Sequence, residues 1–319
     1  LMLISSPQNP RIKDAVRLRD RRHREKRGRM LIDGARELRR AMAAGVQLLE
    51  LFLCESLCHS ADAQAILAGP VQADCEVLYV TEPVFEKLAF GNRTEGVLGV
   101  AAMPTATLEE ITRRLELDRK QTNAASGATA NALKSSSAAI SSPGTSSSGA
   151  TAGLPSSAET PRASRNIHPP LIAVLEAVEK PGNVGAVLRS ADAAGISAVI
   201  LADPHTDLFN PNAIRASLGT IFTVPVAVAS NAEVLAWLRQ HGFSIVAARV
   251  DGSVPYTEID YRRPKAVVLG SEADGLSDAW TADDIQAIRL PMLGIADSLN
   301  VSVTAAVVFY EALRQRDAK

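Results

Sequence analysis

The stretch IRLPMLGIADSLNVSVTAA, Ile288–Ala306, decides how the rest of the chain is read. A short apolar strand, Ile288 to Met292, runs into a Gly/Asp/Ser turn, and a helix then opens whose first turn carries Asn300 and Ser302. Strand-end carbonyls, loop amides and the unpaired N–H groups of a helix start are thereby packed into one short segment. Such a junction suits a polar ligand with an apolar body.

Two earlier segments are built to meet it. LIAVLEAVEKPGNVGAVLRSADAAGI, Leu171–Ile196, is an apolar strand, a Pro-Gly-Asn turn and an Ala-rich helix ending at Gly195; AVVLGSEADGLS, Ala266–Ser277, is a buried-type strand running into a loop with Gly270, Glu272 and Gly275. Around them strands read at Leu171–Val178, Ala198–Ala202, Thr223–Val228, Ser244–Ala248, Ala266–Leu269 and Ile288–Leu290. Helical patterns at Val184–Ala194, Ala232–Gln240 and Asn300–Gln315 separate them. Near-continuous apolar strands alternating with helices predict an α/β fold on a mostly parallel sheet over residues 169–319.

A smaller alternation precedes it. Strands at Arg29–Asp33, Leu48–Glu55, Glu76–Val80 and Gly96–Ala102, with helices at Ala35–Ala44, Ser60–Leu67 and Glu82–Phe90, predict a small α/β domain over residues 1–104. With 319 residues, 46% of them hydrophobic, the chain is long enough for both domains. Residues 105–168 read as a linker. From about Gln121 to Ser164 the composition collapses into Ser, Ala, Thr and Gly, charged only at Lys134, Glu159 and Arg162, and disorder is expected there.

Charge is unevenly placed. The first forty residues hold 13 Lys and Arg against 5 Asp and Glu, although the whole chain nets −1. Arg17, Arg21, Arg22 and Arg24 stand with six further cations on what reads as one helix starting near Asn9-Pro10, offset only by Asp14, Asp20 and Glu25. A solvated basic face is the plain explanation; so few acids favour a phosphate-seeking surface, sequence-independent and salt-sensitive.

Several classes lose their anchors. Neither the G-x-G-x-x-G turn of dinucleotide binders nor the G-x-x-x-x-G-K-[ST] phosphate loop is present. Cys54, Cys58 and Cys75 lack paired C-x-x-C spacing and read as small buried hydrophobes, so no metal site is expected. His168, His205 and His241 are scattered and receive no role. No apolar run is long enough to span a bilayer and no secretory leader is recognised, which makes a cytoplasmic location, without membrane contact, the default expectation.

In this order the three segments resemble the three motifs of the SpoU/TrmH family of RNA ribose 2′-O-methyltransferases, part of the SPOUT superfamily. The resemblance implies a knotted SPOUT-type sheet, a trefoil formed from the late segments, and S-adenosylmethionine as cofactor. It also implies a homodimer through the C-terminal domain, with the apolar face Val301, Ala305, Val308 and Ala312 of the last helix suited to packing. The layout of residues 1–104, with the phrases LIDGARELRRAM and EGVLGVAA, is similar to the ribosomal-protein-like substrate-binding domain of members acting on ribosomal RNA. Large-subunit ribosomal RNA is therefore the favoured substrate, with tRNA second. A catalytically silent RNA-binding or assembly factor of the same fold is a further alternative, and a nucleotide-dependent oxidoreductase is a third.

The resemblance carries residue roles. In NVGAVLR it places Asn183, also expected to cap its helix, and Arg189 at the catalytic centre. A guanidinium stays protonated, so Arg189 reads as a grip on the substrate phosphate and on developing alkoxide charge. Glu272 would order the Arg189 and Asn300 side chains or the loop, while Ser298 and Asn300 complete the polar cluster. Leu269, Gly270, Ile288, Leu290, Pro291, Met292 and Leu299 would hold the cofactor, although a core strand explains Leu290 and Met292 equally well. Arg215 and Ser217, in NPNAIRASLGT, resemble an RNA-facing loop.

Overall fold

The computed structural model describes residues 3–90, 95–121 and 168–317; the Ser/Ala-rich stretch expected to be disordered lies outside the described residues. The N-terminal half runs β1 (Leu3–Ile4), α1 (Pro10–Arg17), α2 (Arg21–Arg27), β2 (Arg29–Asp33), α3 (Ala35–Ala43), β3 (Leu48–Leu53), α4 (Ala61–Ala68), β4 (Glu76–Val80), α5 (Glu82–Leu88) and β5 (Val97–Ala102). Its sheet has the order β1-β4-β3-β5-β2, with β5 antiparallel to both neighbours and the remaining pairs parallel.

The basic segment forms two helices where one was expected. Asn9 caps α1, accepting from Arg11 N at 2.9 Å, and Asp20 caps α2, accepting from His23 N at 3.2 Å. From within α2 Arg24 turns inward, 1% exposed, and donates to the Leu18 and Arg19 carbonyls at 2.7 and 2.8 Å. The orphan carbonyls at the end of α1 thus find a charged donor, which fixes the break.

Residues 105–121 are not linker. The helix α6 (residues 108–121) buries Ile111 completely against the apolar face that also holds Ile172, Val174 and Ile245. Thr112 Oγ1 accepts from Trp237 Nε1 at 2.9 Å, and Val228 N donates to Ala106 O at 3.0 Å. The charge-rich sequence of this segment hid a single apolar stripe. Ile111→Ala is expected to destabilise the chain by about 2–5 kcal/mol in urea unfolding, the usual cost of truncating a buried isoleucine; an unchanged midpoint would return the segment to linker.

The C-terminal half continues with β6 (Leu171–Glu176), α7 (Pro181–Ala193), β7 (Ala198–Ala202), α8 (Pro211–Ala216), β8 (Val226–Ala229), α9 (Asn231–Gln240), β9 (Ser244–Ala248), β10 (Val254–Pro255), β11 (Lys265–Leu269), β12 (Ile285–Arg289) and α10 (Val301–Asp317). Its seven strands lie in the order β10-β12-β9-β11-β6-β7-β8, and every pairing is parallel. β6 and β11 are buried along their whole length, covered on both faces as their apolar runs require. β12 begins three residues earlier than expected, because near the sheet edge its residues alternate between exposed and buried.

Two contacts position the later site. Helix α7 meets α8 at Gly185, where an added Cβ would lie 2.4 Å from Ala213 O, so only glycine permits this approach. On its other side α8 packs against β2, joining the two halves. The last helix, α10, packs on α7 and β11, and Val301, Ala305, Val308 and Ala312 are all buried within this chain. That corrects the expected packing face: the apolar residues α10 leaves exposed are Val303 and Tyr310.

Candidate active site

Three neighbouring strands, β9, β11 and β12, end side by side at Ala248, Leu269 and Arg289, and the loops leaving them enclose a cavity of about 830 Å³. Ligands of open parallel sheets sit outside the carboxyl ends of the strands, where loop amides converge. Leu269 and Gly270 line the cavity at the end of β11. Here the backbone doubles back: Ser271 and Gly275 exchange hydrogen bonds of 3.0 and 3.2 Å. An added Cβ on Gly270 would lie 2.2 Å from the Gly275 carbonyl. Only glycine fits, and the tight turn leaves the strand end open to a ligand.

The opposite wall is apolar, formed by Leu290, Pro291, Met292 and Leu299. Leu290, Pro291 and Met292 follow β12 rather than belonging to it, and Leu290 also packs against the core. Ile288 is the exception among the expected cofactor contacts: it is fully buried in the core and does not line the cavity. Arg249 and Asp251, at the end of β9, do line it and were missed from sequence. They pair through two 2.9 Å hydrogen bonds, and the guanidinium holds the Asp251 carboxyl below the usual carboxylate range.

The expected polar residues gather at one edge. Ser298 and Glu272 line the cavity. Asn300 precedes α10 and caps it, its Oδ1 accepting from Ser302 N at 2.9 Å and Ser302 Oγ at 2.6 Å. Asn300 Nδ2 donates to Asn183 Oδ1 at 3.4 Å, bringing the starts of α7 and α10 together. Asn183 does not cap α7; Lys180 holds that position, and Asn183 sits inside the first turn. Glu272 has Lys180 Nζ as its ion-pair partner at 3.7 Å, with no hydrogen bond or ion pair to Arg189 or Asn300, so of its two expected tasks the ordering of those side chains is corrected and the ordering of the loop is left. Arg189 is exposed and makes no hydrogen bond or ion pair among the described residues.

Two buried polar atoms here lack partners: Asn183 Nδ2 and Glu272 Oε1. Natural structures pair almost all such atoms. The open acceptor on Glu272 belongs to the cavity lining and fits a ligand that carries a polar donor, whereas Asn183, with its open donor, stands at the Asn300 contact and does not line the cavity. Among the described residues no group of three His, Cys, Asp or Glu could hold a metal, and burial pushes the Cys75 thiol up to about 11.

The expected RNA contacts divide. Arg17 and Arg21 are exposed but paired with Asp14 at 3.3 Å and Glu25 at 2.7 Å, whereas Lys13, Arg22 and Lys26 are exposed without a hydrogen bond or ion pair among the described residues. Arg24 is corrected: it is buried and bound to Asp207, Nε to Oδ2 at 2.8 Å. Ser217 is corrected as well, fully buried and donating to Ile214 O at 2.7 Å as a turn staple. Arg215 is half-buried and donates to Phe90 O at 3.2 Å, which turns it towards the N-terminal half.

Residues 170–310 match the model of the SpoU rRNA Methylase family, and residues 9–99 match the MRM3-like substrate binding domain. A solved RNA 2′-O ribose methyltransferase is 36% identical, with 99% of each chain covered and a TM-score of 0.71. The chain belongs to the SpoU family. A SpoU relative, the 23S rRNA (uridine(2479)-2′-O)-methyltransferase of Streptomyces viridochromogenes, is 38% identical over 142 residues, 43% of this chain and 50% of the relative. The chain thus spans about half the length of the curated relatives it matches. The AdoMet-bound rRNA methyltransferase of Sinorhizobium meliloti is 25% identical, with 98% and 97% coverage and a TM-score of 0.70. As in these SpoU structures, the fold extends through the N-terminal half; no helix among the described residues is long and apolar enough to cross a membrane.

Proposed function

We propose that the chain is an S-adenosylmethionine-dependent RNA 2′-O-ribose methyltransferase acting on large-subunit ribosomal RNA. The observation that carries this reading is the strand-end cavity lying beside the Asn183–Asn300 contact, with the Arg189 guanidinium free. The apolar wall at Leu290, Met292 and Leu299 suits an adenine ring, and the open acceptor Glu272 Oε1 suits a polar donor on the same ligand. When bound, the cofactor supplies a methyl group on a sulfonium, an electrophile that needs no metal.

The residues of the chain do the rest. Asn300 and Asn183 hold the starts of α10 and α7 in register, which fixes the reacting hydroxyl's approach; such positioning supplies much of the rate of a two-body reaction. Arg189 grips the substrate phosphate and steadies negative charge developing on the ribose oxygen. The hydroxyl proton leaves to that phosphate or to water.

The choice of ribosomal RNA over tRNA rests on the match of residues 9–99 and on the named activity of the Streptomyces relative. It brings with it a cytoplasmic location. A knotted trace is part of the same proposal, supported by the passage from β12 back across the ends of β9 and β11 to α10 on α7. So is a homodimer, in which a second copy covers Val303 and Tyr310, left exposed on α10.

Transfer of labelled methyl from S-adenosylmethionine to unmodified ribosomal RNA and tRNA, followed by mapping of the alkali-resistant linkage, tests the reading. A resistant bond in ribosomal RNA is expected; no transfer to naked RNA or to ribosomal particles would overturn it. Changing Lys13, Arg22 and Lys26 together to Gln is expected to weaken RNA binding and lower the slope of log K against log salt by up to about 2 to 3, roughly 0.7–0.9 per lost phosphate contact. An unchanged slope would make these cations a solvated face.

A further inference from the structure

Glu176 ends β6, an otherwise apolar strand, and is 2% exposed. No cation faces it. Its carboxylate is met by neutral donors from two other elements. Oε2 accepts from the backbone N of Ser277 at 2.8 Å, and Oε1 accepts from Asn231 Nδ2 at 2.6 Å and from the Ser277 hydroxyl. Ser277 closes the loop 270–277 that lines the cavity, and Asn231 opens α9. A buried carboxylate without a counter-ion survives only when its acceptor sites are filled.

The backbone around it is held in an unusual form. Ala177, directly after Glu176, has φ +49°, and Asp203, directly after its strand partner's end at Ala202, has φ +44°. Both are non-glycine residues in the left-handed region, where side chains cost free energy unless surroundings enforce the conformation. Asp203 Oδ2 accepts from Asn231 N at 3.0 Å, so both strained strand ends converge on the same asparagine. Yet none of Glu176, Asn231 and Asp203 lines the cavity.

We infer that Glu176 is a positioning residue for the cofactor: it sets the shape of the loop 270–277, through Ser277, so that Gly270 and Glu272 stand where the ligand needs them. This inference rests on the proposed cofactor reading and deepens it. Besides the packing of Leu276 against the core, the loop has few other polar anchors. Within itself it is held by the Ser271–Gly275 pair and by the Ser271 hydroxyl accepting from Asp274 N at 3.0 Å; Lys180 reaches Glu272 from α7, and Glu176 fastens its far end to the sheet.

The geometry dictates a sharp test. In Glu176→Gln one carboxylate oxygen becomes an amide nitrogen. At the Oε2 place that nitrogen opposes the Ser277 N–H; at the Oε1 place it is accepted only if Asn231 turns its unpartnered Oδ1 towards it, and every bond at the site then loses the charge assistance of the carboxylate. In the double variant E176Q/N231D the introduced amide can donate to the introduced carboxylate and still accept from Ser277 N–H, so the polarity of the bond is reversed and the pairing restored.

The measurement is calorimetric titration of the full-length chain with S-adenosylmethionine, alongside initial-rate kinetics on ribosomal RNA and thermal unfolding. Glu176→Gln is expected to weaken cofactor binding at least tenfold and to raise the cofactor KM, with kcat at saturating cofactor changed by less than threefold. E176Q/N231D is expected to recover most of the lost affinity. A merely structural role would lower the unfolding temperature without this KM-against-kcat split or the rescue. Unaltered affinity in Glu176→Gln, or no recovery in the double variant when it is folded, overturns the inference. Failure of the unsubstituted chain to bind the cofactor would instead sink the functional reading beneath it.

Discussion

Arg189→Ala is expected to lower methyl transfer to RNA by about 10²- to 10³-fold, the range seen when one preorganised donor to developing charge is removed. Cofactor affinity should stay within about twofold. Arg189 is exposed, makes no hydrogen bond or ion pair among the described residues and does not line the cavity, so its loss removes no contact from the folded chain or from the cofactor site. An exposed cation of that kind normally changes stability by less than about 0.5 kcal/mol. Arg189→Lys keeps the charge but not the planar fork, and is expected to recover only part of the rate. The pair of assays decides the matter. Full activity in Arg189→Ala would remove the guanidinium from the mechanism, and a parallel loss of cofactor affinity would make it part of the cavity rather than a grip on RNA.

What could be read from the sequence follows from how locally each feature is encoded. Buried parallel strands such as Leu171–Glu176 and Lys265–Leu269 announce themselves because burial on both faces demands an apolar run, broken here only by the charge at one end of each. Gly270 was legible for a similar reason: a glycine directly after such a strand marks close backbone approach. β12 was placed too late because, near the sheet edge, its exposed Gln286 and Arg289 break the apolar run, while Leu290 to Met292, apolar enough to look like strand, wall the cavity. Ile288 belongs to the strand and was carried with its neighbours into the site.

Long-range polar partners were beyond reach. Glu176 binds residues 55 and 101 positions away, and Arg24 a residue 183 away. Its lone charge in LIAVLEAV was a signal that sequence reasoning passed over: a carboxylate closing an apolar strand needs donors from somewhere. The α6 helix was hidden by composition, since one buried Ile111 outweighs the eight charges around it once a sheet face is available to cover. In the basic segment, counting cations gave the right sense of the surface but not its membership, because burial sorts residues that charge alone treats as equal.

The buried arginine of that segment supplies the other large effect. Arg24→Ala is expected to destabilise the chain by about 3–5 kcal/mol, the cost of leaving one member of a buried ion pair without its partner. Four bonds go with the guanidinium: two to Asp207 and those to the Leu18 and Arg19 carbonyls. Asp207 lies in the segment between β7 and α8, so the substitution strikes the junction of the two halves as well as the break between α1 and α2. Asp207→Ala should lose stability comparably, and the double variant should lose clearly less than the two together, since the partners share one interaction. The same variant separates structure from RNA contact. At temperatures where it stays folded, Arg24→Ala should leave the salt dependence of RNA binding unchanged, because a side chain 1% exposed neutralises no phosphate. A flattened salt slope with little loss of stability would place Arg24 on the RNA surface instead.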